Sequence, residues 1–211
     1  MPVIAIDGTF ASGKGTLGRA IAAHYGFKYL DTGKLYRACA FAAIKAKADL
    51  SDGAVCAKLA LEIKPKDLTD PELKSGDVGA AASKIAVHTQ VRAALLTLQR
   101  EFAASPKGAV LDGRDIGTVI CPDADVKLYV DAAPEIRARR RYEELSGYGE
   151  DTSFEKVLAQ LTERDGRDKG RKTAPLKPAD DAHLLDTSAL DIKGALAAAI
   201  AIIDAALGAA A

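Results

Sequence analysis

Short apolar runs punctuate this chain, and between them apolar residues recur every three or four positions. The runs Val3–Ile6, Lys28–Leu30, Ala109–Leu111, Val126–Val130 and His183–Leu185 have the length and composition of buried strands. Four of them close on polar turns: Asp7-Gly8, Asp31-Thr32-Gly33, Asp112-Gly113-Arg114-Asp115 and Asp186-Thr187-Ser188. Helical spacing fills the gaps. Leu17–Tyr25 is the body of one helix, and Lys34–Lys47 carries Leu35, Ala38, Phe41 and Ala42 on one face. Ala80–Phe102 is helical but interrupted near His88-Thr89, where Thr89 is placed to cap a helix from Gln90. Pro134 can open a helix that ends near Ser146-Gly147. Phe154–Lys169 is another helix, and the alanine-rich tract Gly194–Ala211 is the last. Pro65, Pro71 and several charges break Leu50–Gly79 into short helices and loops. Strands alternating with helices predict an α/β fold: a parallel sheet covered by helices on both faces. Ligands of such sheets lie beyond the carboxyl ends of the strands. The polar loops at 7–16, 31–37, 112–115 and 186–188 should therefore meet in one cleft.

Composition narrows the class. A chain of 211 residues suits one domain. Lys+Arg and Asp+Glu both total 29, and there is no tryptophan, which argues against nucleic-acid and membrane surfaces. Five of the nine residues from Arg164 to Lys172 are nevertheless basic, as a compact anionic ligand would require. Cys39, Cys56 and Cys121 have no metal or disulfide spacing and are expected to be reduced thiols of a cytoplasmic protein. The first residues lack the pattern of a signal peptide, and Asp204 makes the C-terminal tract a packed helix rather than a membrane span. Nothing long and apolar demands a partner, so a monomer is expected.

The chemistry begins at Gly8-Thr9-Phe10-Ala11-Ser12-Gly13-Lys14-Gly15-Thr16, between the first strand and the first helix. Strand, glycine-rich loop and helix in this order form a phosphate cradle. The glycines let successive N–H groups face one anion, the helix adds the positive end of its dipole, and Lys14 adds a full charge. The residue after Lys14 is Gly15 and the hydroxyl follows at Thr16, as in the loops of nucleoside monophosphate kinases. This suggests Mg²⁺ held mostly by ATP phosphates and water, with no metal-ligand set of the protein's own.

Three further stretches extend the likeness. Asp31-Thr32-Gly33 with Tyr36-Arg37, then Asp112-Gly113-Arg114-Asp115, then Arg164 to Arg171 follow the order and spacing of the bacterial cytidylate kinases, which this chain resembles from its first strand to its last. The resemblance implies a five-stranded parallel sheet of the P-loop monophosphate-kinase type. A single domain over 1–211 would carry a short acceptor-binding insert near 50–90 and a small lid, with the helix after it, near 140–172. The implied reaction moves the γ-phosphoryl group of ATP to CMP or dCMP. The resemblance assigns Lys14, Arg114, Asp115 and Arg171 to catalysis. It assigns the loop from Gly8 to Thr16, with Arg140, to ATP. It assigns Thr32, Arg37, Ser83, Arg92, Arg114, Arg164, Asp168 and Arg171 to the acceptor, with Ser83 and Arg92 as the cytosine-reading pair. Thr32 stands where the family usually has serine, and Glu62–Asp77 is too short for the β-hairpin usual in the family's insert.

Elementary chemistry agrees with an arginine-rich site. The acceptor phosphate has its second pKa near 6, so it is a nucleophile without a strong base. It needs relief from polyanion repulsion and in-line placement. Arg37 and Arg114 can each fork onto phosphate oxygens, while His24, His88 and His183 are scattered and read as structural. Arg164, Asp168 and Arg171 share one stripe if their helix persists. Ser83 and Arg92 would face opposite ways on one straight helix, so the break near Thr89 must bring them together. Asp112, at a strand end, rivals Asp115 as the key carboxylate. Arg137, Arg140 and Arg141 form either a lid over ATP or a solvated basic face. A kinase for UMP or another monophosphate, and a P-loop sensor that binds without transfer, are the alternatives.

Overall fold

The computed structural model describes residues 1–209. Ala210 and Ala211, the end of the expected C-terminal helix, lie outside the described residues. Five strands, β1 (Val3–Gly8), β2 (Lys28–Asp31), β3 (Ala109–Gly113), β4 (Val126–Asp131) and β5 (His183–Asp186), form one sheet in the order β2-β3-β1-β4-β5. Strand β1 pairs in parallel with β3 and β4, placing Ile6 between Asp112 and Leu128, and β4 pairs in parallel with β5. The central strand is the first in the chain, and the apolar run read as a buried strand fills it. Ile4, Ala5 and Ile6 are wholly buried. Around the sheet lie α1 (Lys14–Tyr25), α6 (Pro134–Gly147), α7 (Phe154–Lys169) and α8 (Ile192–Ala209). Leu17 and Ile21 of α1 and Ala199 and Ile203 of α8 pack with Ile4, Ile6, Val110 and Leu128 in one core.

Two compact units are formed. The first comprises Met1–Leu30 and the described chain from Phe102 onward, and the second is Asp31–Glu101. The second unit is helical: α2 (Thr32–Lys45), α3 (Gly53–Leu61), α4 (Gly76–Ile85) and most of α5 (Thr89–Ala103), with two 3₁₀ turns opened by Pro65 and Pro71. Asp31, Asp52 and Ser75 each accept backbone N–H groups at the starts of α2, α3 and α4. Leu73 and Val78 are buried against Ala38, with Phe41, Ile63 and Leu68 beside them. The interruption expected near residue 88 is present, displaced by one residue. The His88 carbonyl accepts the N–H of Arg92, so His88 is the cap and Thr89 the first helical residue. The His88 ring, 2.8 Å from the Leu50 carbonyl, holds that residue outside the helix.

No expectation covered the single π-helical turn at Ile116–Ile120. Five residues are too few to show a period, and the turn is held by a distant carboxylate.

Candidate active site

The loop between β1 and α1 curls as its glycines allow. Gly8 has φ 151°, and a Cβ there would lie 1.9 Å from the Val130 carbonyl oxygen, so only glycine lets β1 end this close to β4. Ala11 and Gly13 follow with φ 61° and 88°. The Ser12 hydroxyl donates to the Thr9 carbonyl at 3.0 Å, and the Thr9 hydroxyl donates to Asp131. Lys14 is nearly buried, with its ammonium 3.3 Å from the Thr9 carbonyl across the loop. Thr16 is exposed one turn into α1. Gly15 carries no side chain where a Cβ would stand 3.3 Å from an oxygen of Asp112. The Tyr29 hydroxyl lies 3.1 Å from Asp112 and 3.2 Å from the Gly15 carbonyl, tying that carboxylate to the foot of α1.

The arginines expected on one face of α6 part company. Arg137 is buried: it donates to the carbonyls of Ala132 at 2.8 Å and Phe10 at 3.1 Å and pairs with Asp165 at 2.7 Å. It is neither lid nor solvated face but a brace for the loop, because a charge at the loop's back finds carbonyls and a carboxylate to satisfy it. Arg141 pairs with Glu144 at 2.8 Å and lies 5.6 Å over the Phe10 ring. Arg140 rims the loop, donating to the Thr187 carbonyl at 2.7 Å and reaching the Ser12 carbonyl at 3.5 Å. The buried Thr187 hydroxyl also donates to Ser12, at 2.9 Å. Beside them opens a cavity of about 740 Å³ bounded by Gly13, Thr16, Arg140, Thr187, Leu190 and Ile192, and Arg141 lines the same cavity. It has the size of a small-molecule site. Sequence reasoning placed the 186–188 turn at a strand end but missed Thr187 and the 190–195 wall, since no motif marks them.

A second arginine cluster stands in the same unit. Asp168, 1% exposed, accepts from Arg114 Nε at 2.9 Å and pairs with Arg171. Burial disfavours the charge, yet the guanidiniums of Arg114, Arg171 and Arg164 outweigh it and hold Asp168 below the ordinary carboxylate range. Arg164 lies 4.1 Å over the Phe10 ring. Helix α7 stops at Lys169, where its sequence pattern ended it, with Gly170 as its C-cap, so the condition for one stripe through Arg171 is not met. Arg171 therefore turns back on Asp168 from beyond the helix end. Asp115 is buried on the turn after β3, and its carbonyl accepts the N–H groups of Val119 and Ile120.

The second unit holds the remaining candidates. Thr32 is buried in the first turn of α2. Arg37 donates to the carbonyls of Leu73 at 2.6 Å and Ser75 at 3.3 Å, and Gly79 leaves room for its guanidinium on α4. Ser83 is buried late in α4. Arg92, near the start of α5, reaches back across the break to the Ala86 carbonyl at 3.2 Å and lies 5.7 Å over the Tyr36 ring. Among the described residues no group of three His, Cys, Asp or Glu side chains could hold a metal. No described helix is long and apolar enough to cross a membrane.

The fold has a solved counterpart. An uncharacterised protein from Eubacterium ventriosum superposes with a TM-score of 0.54 at 14% identity, over 97% of this chain and 99% of its own. Sequence comparison goes further. A cytidylate kinase of Rhodopseudomonas palustris is 57% identical over 203 residues, 96% of each chain, and one of Bradyrhizobium diazoefficiens is 55% identical over the same share. The family description Cytidylate kinase matches residues 4–205. The chain belongs to the cytidylate kinase family.

Proposed function

We propose that this protein transfers the γ-phosphoryl group of ATP to the 5′-phosphate of CMP or dCMP, giving ADP and CDP or dCDP. Beside family membership, one observation carries the reading: the unit that holds the phosphate loop also holds a second arginine cluster, Arg114 and Arg171 on buried Asp168. A nucleotide sensor needs one anion site, whereas phosphoryl transfer between two nucleotides needs two.

The roles follow from charge. Backbone N–H groups of Gly8–Thr16 and the start of α1 receive the ATP phosphates, with Lys14 neutralising the transferring group. Arg140 borders the cavity that suits the rest of ATP. Mg²⁺ would be held mainly by the ATP phosphates and water. The exposed Thr16 hydroxyl and the Asp112 carboxylate are hard oxygen groups that suit its shell, and the ion spreads charge off the phosphates when bound. Arg114 and Arg171 receive the acceptor phosphate, Arg164 and Asp168 its nucleoside, and Asp115 orients the reacting groups. In the helical unit, Thr32, Arg37, Ser83 and Arg92 are assigned to the same acceptor, the last two to cytosine. Asp168 clamps the guanidiniums, so they meet a polyanion without the entropy cost of first being ordered. A cytoplasmic monomer that binds no nucleic acid or membrane completes the proposal.

The test is ADP release with Mg²⁺-ATP and CMP, dCMP, UMP, AMP or GMP in turn, with Lys14→Ala as control. Turnover with CMP and dCMP, lost in the variant, supports the reading. Preference for UMP or AMP overturns the cytosine assignment of Ser83 and Arg92, and silence with all five favours the sensor.

A further inference from the structure

Asp7 is the last β1 residue before Gly8, is 4% exposed, and has no role in the mechanism above. Its two carboxylate oxygens are both used. One accepts the Ile116 N–H at 2.7 Å and the other the Gly117 N–H at 2.7 Å. These amides open the π-helical turn, directly after Arg114 and Asp115. A single side chain therefore joins the strand that delivers the phosphate loop to the segment that presents Arg114 and Asp115. The groups that face it are Asp115 and Arg114 from the end of β3, Tyr129 from β4, and the two amides. Burial, with Asp115 adding to it, outweighs the amides and Arg114 and lifts the carboxyl to about 6. A buried acid held so far from its ordinary range is costly to keep. An apolar residue here would leave the buried Ile116 and Gly117 amides without acceptors and the turn untied from β1.

We infer that Asp7 is a positioning residue for phosphoryl transfer, setting Arg114 and Asp115 in register with the phosphate loop through the Ile116 and Gly117 amides. It touches neither nucleotide. An in-line transfer tolerates little displacement of its charged partners, so slackening this clamp slows the chemical step and leaves ATP binding in place. The inference rests on the kinase reading.

The experiment is Asp7→Asn, which keeps the shape but sets an NH₂ against an amide N–H. Turnover with ATP and CMP should fall by about tenfold or more, while the ATP dissociation constant stays within about twofold. In an Asp115→Ala background the same change should cost less than about twofold, because both act through one segment. Wild-type turnover in Asp7→Asn overturns the inference, as do losses that multiply with Asp115→Ala or a loss of ATP binding in step with turnover. Should Asp7→Asn not fold, the smaller Asp7→Ser carries the same comparison. Absence of CMP turnover in the unaltered chain sinks the kinase reading itself. Turnover that Asp115→Ala reduces and Asp7→Asn does not sinks this inference alone.

Discussion

Asp168 is where stability and the proposed acceptor site meet in one residue. Its charge is buried at a cost that three guanidiniums repay, so its folded pKa lies below the ordinary 3.8. The folded state then binds fewer protons than the unfolded state, and this contribution is full above pH about 4 and fades as pH falls below it. Asp168→Ala should cost about 3–5 kcal/mol at neutral pH, since it leaves buried guanidiniums without their counter-charge. Chemical denaturation at pH 7 and pH 3 checks this. The variant's deficit should shrink at the lower pH, and an equal deficit at both values would assign the loss to packing. Arginine types and their order were legible in the sequence. Their partners were not, because Arg114 and Asp168 lie 54 positions apart and only the sheet brings them together.

Elements deliver these residues, and their ends matter more than their middles. Strand β1 must stop at Gly8 against the Val130 carbonyl, where a Cβ has no room. Gly8→Ala should destabilise the fold by several kcal/mol through overpacking and an unfavoured φ, and it should abolish ATP binding. A thermal melt with nucleotide titration reads both. Helix α7, which carries Arg164 and Asp168, is capped by Ser153 accepting the Lys156 N–H at 3.2 Å. Removing that bond in Ser153→Ala should cost about 1 kcal/mol, lowering the melting temperature while turnover at 25 °C stays near wild type. The strands and long helices followed from period and caps. The limits of α7 at 154 and 169 matched its sequence pattern, whereas Thr89 and His88 exchanged roles at α5 because a contact with Leu50, far back in the chain, decided which residue leaves the helix.

For the whole molecule, ligand binding and stability are linked. A nucleotide that binds only the folded chain raises its stability by RT ln(1 + [L]/Kd), about 2.7 kcal/mol at a hundredfold excess over Kd. ATP should raise the melting temperature in proportion to the logarithm of its concentration. Arg140→Ala should weaken that shift without abolishing it, because the loop backbone remains. An unchanged shift would remove Arg140 from the ATP site. The sequence alone determined the α/β class, the phosphate loop and the family, since the class rests on local period and the family on short motifs, each compact, that recur in a fixed order along the chain. Tertiary structure decided which arginine braces the back of the loop and which borders the cavity. Arg137 and Arg140 lie three residues apart on one helix, yet one is buried against Asp165 and the other rims the loop. It also decided that Asp7, read from the sequence only as part of a strand-end turn, grips a turn more than a hundred residues away. Such roles depend on burial and on partners distant in the chain, and local spacing carries no record of either.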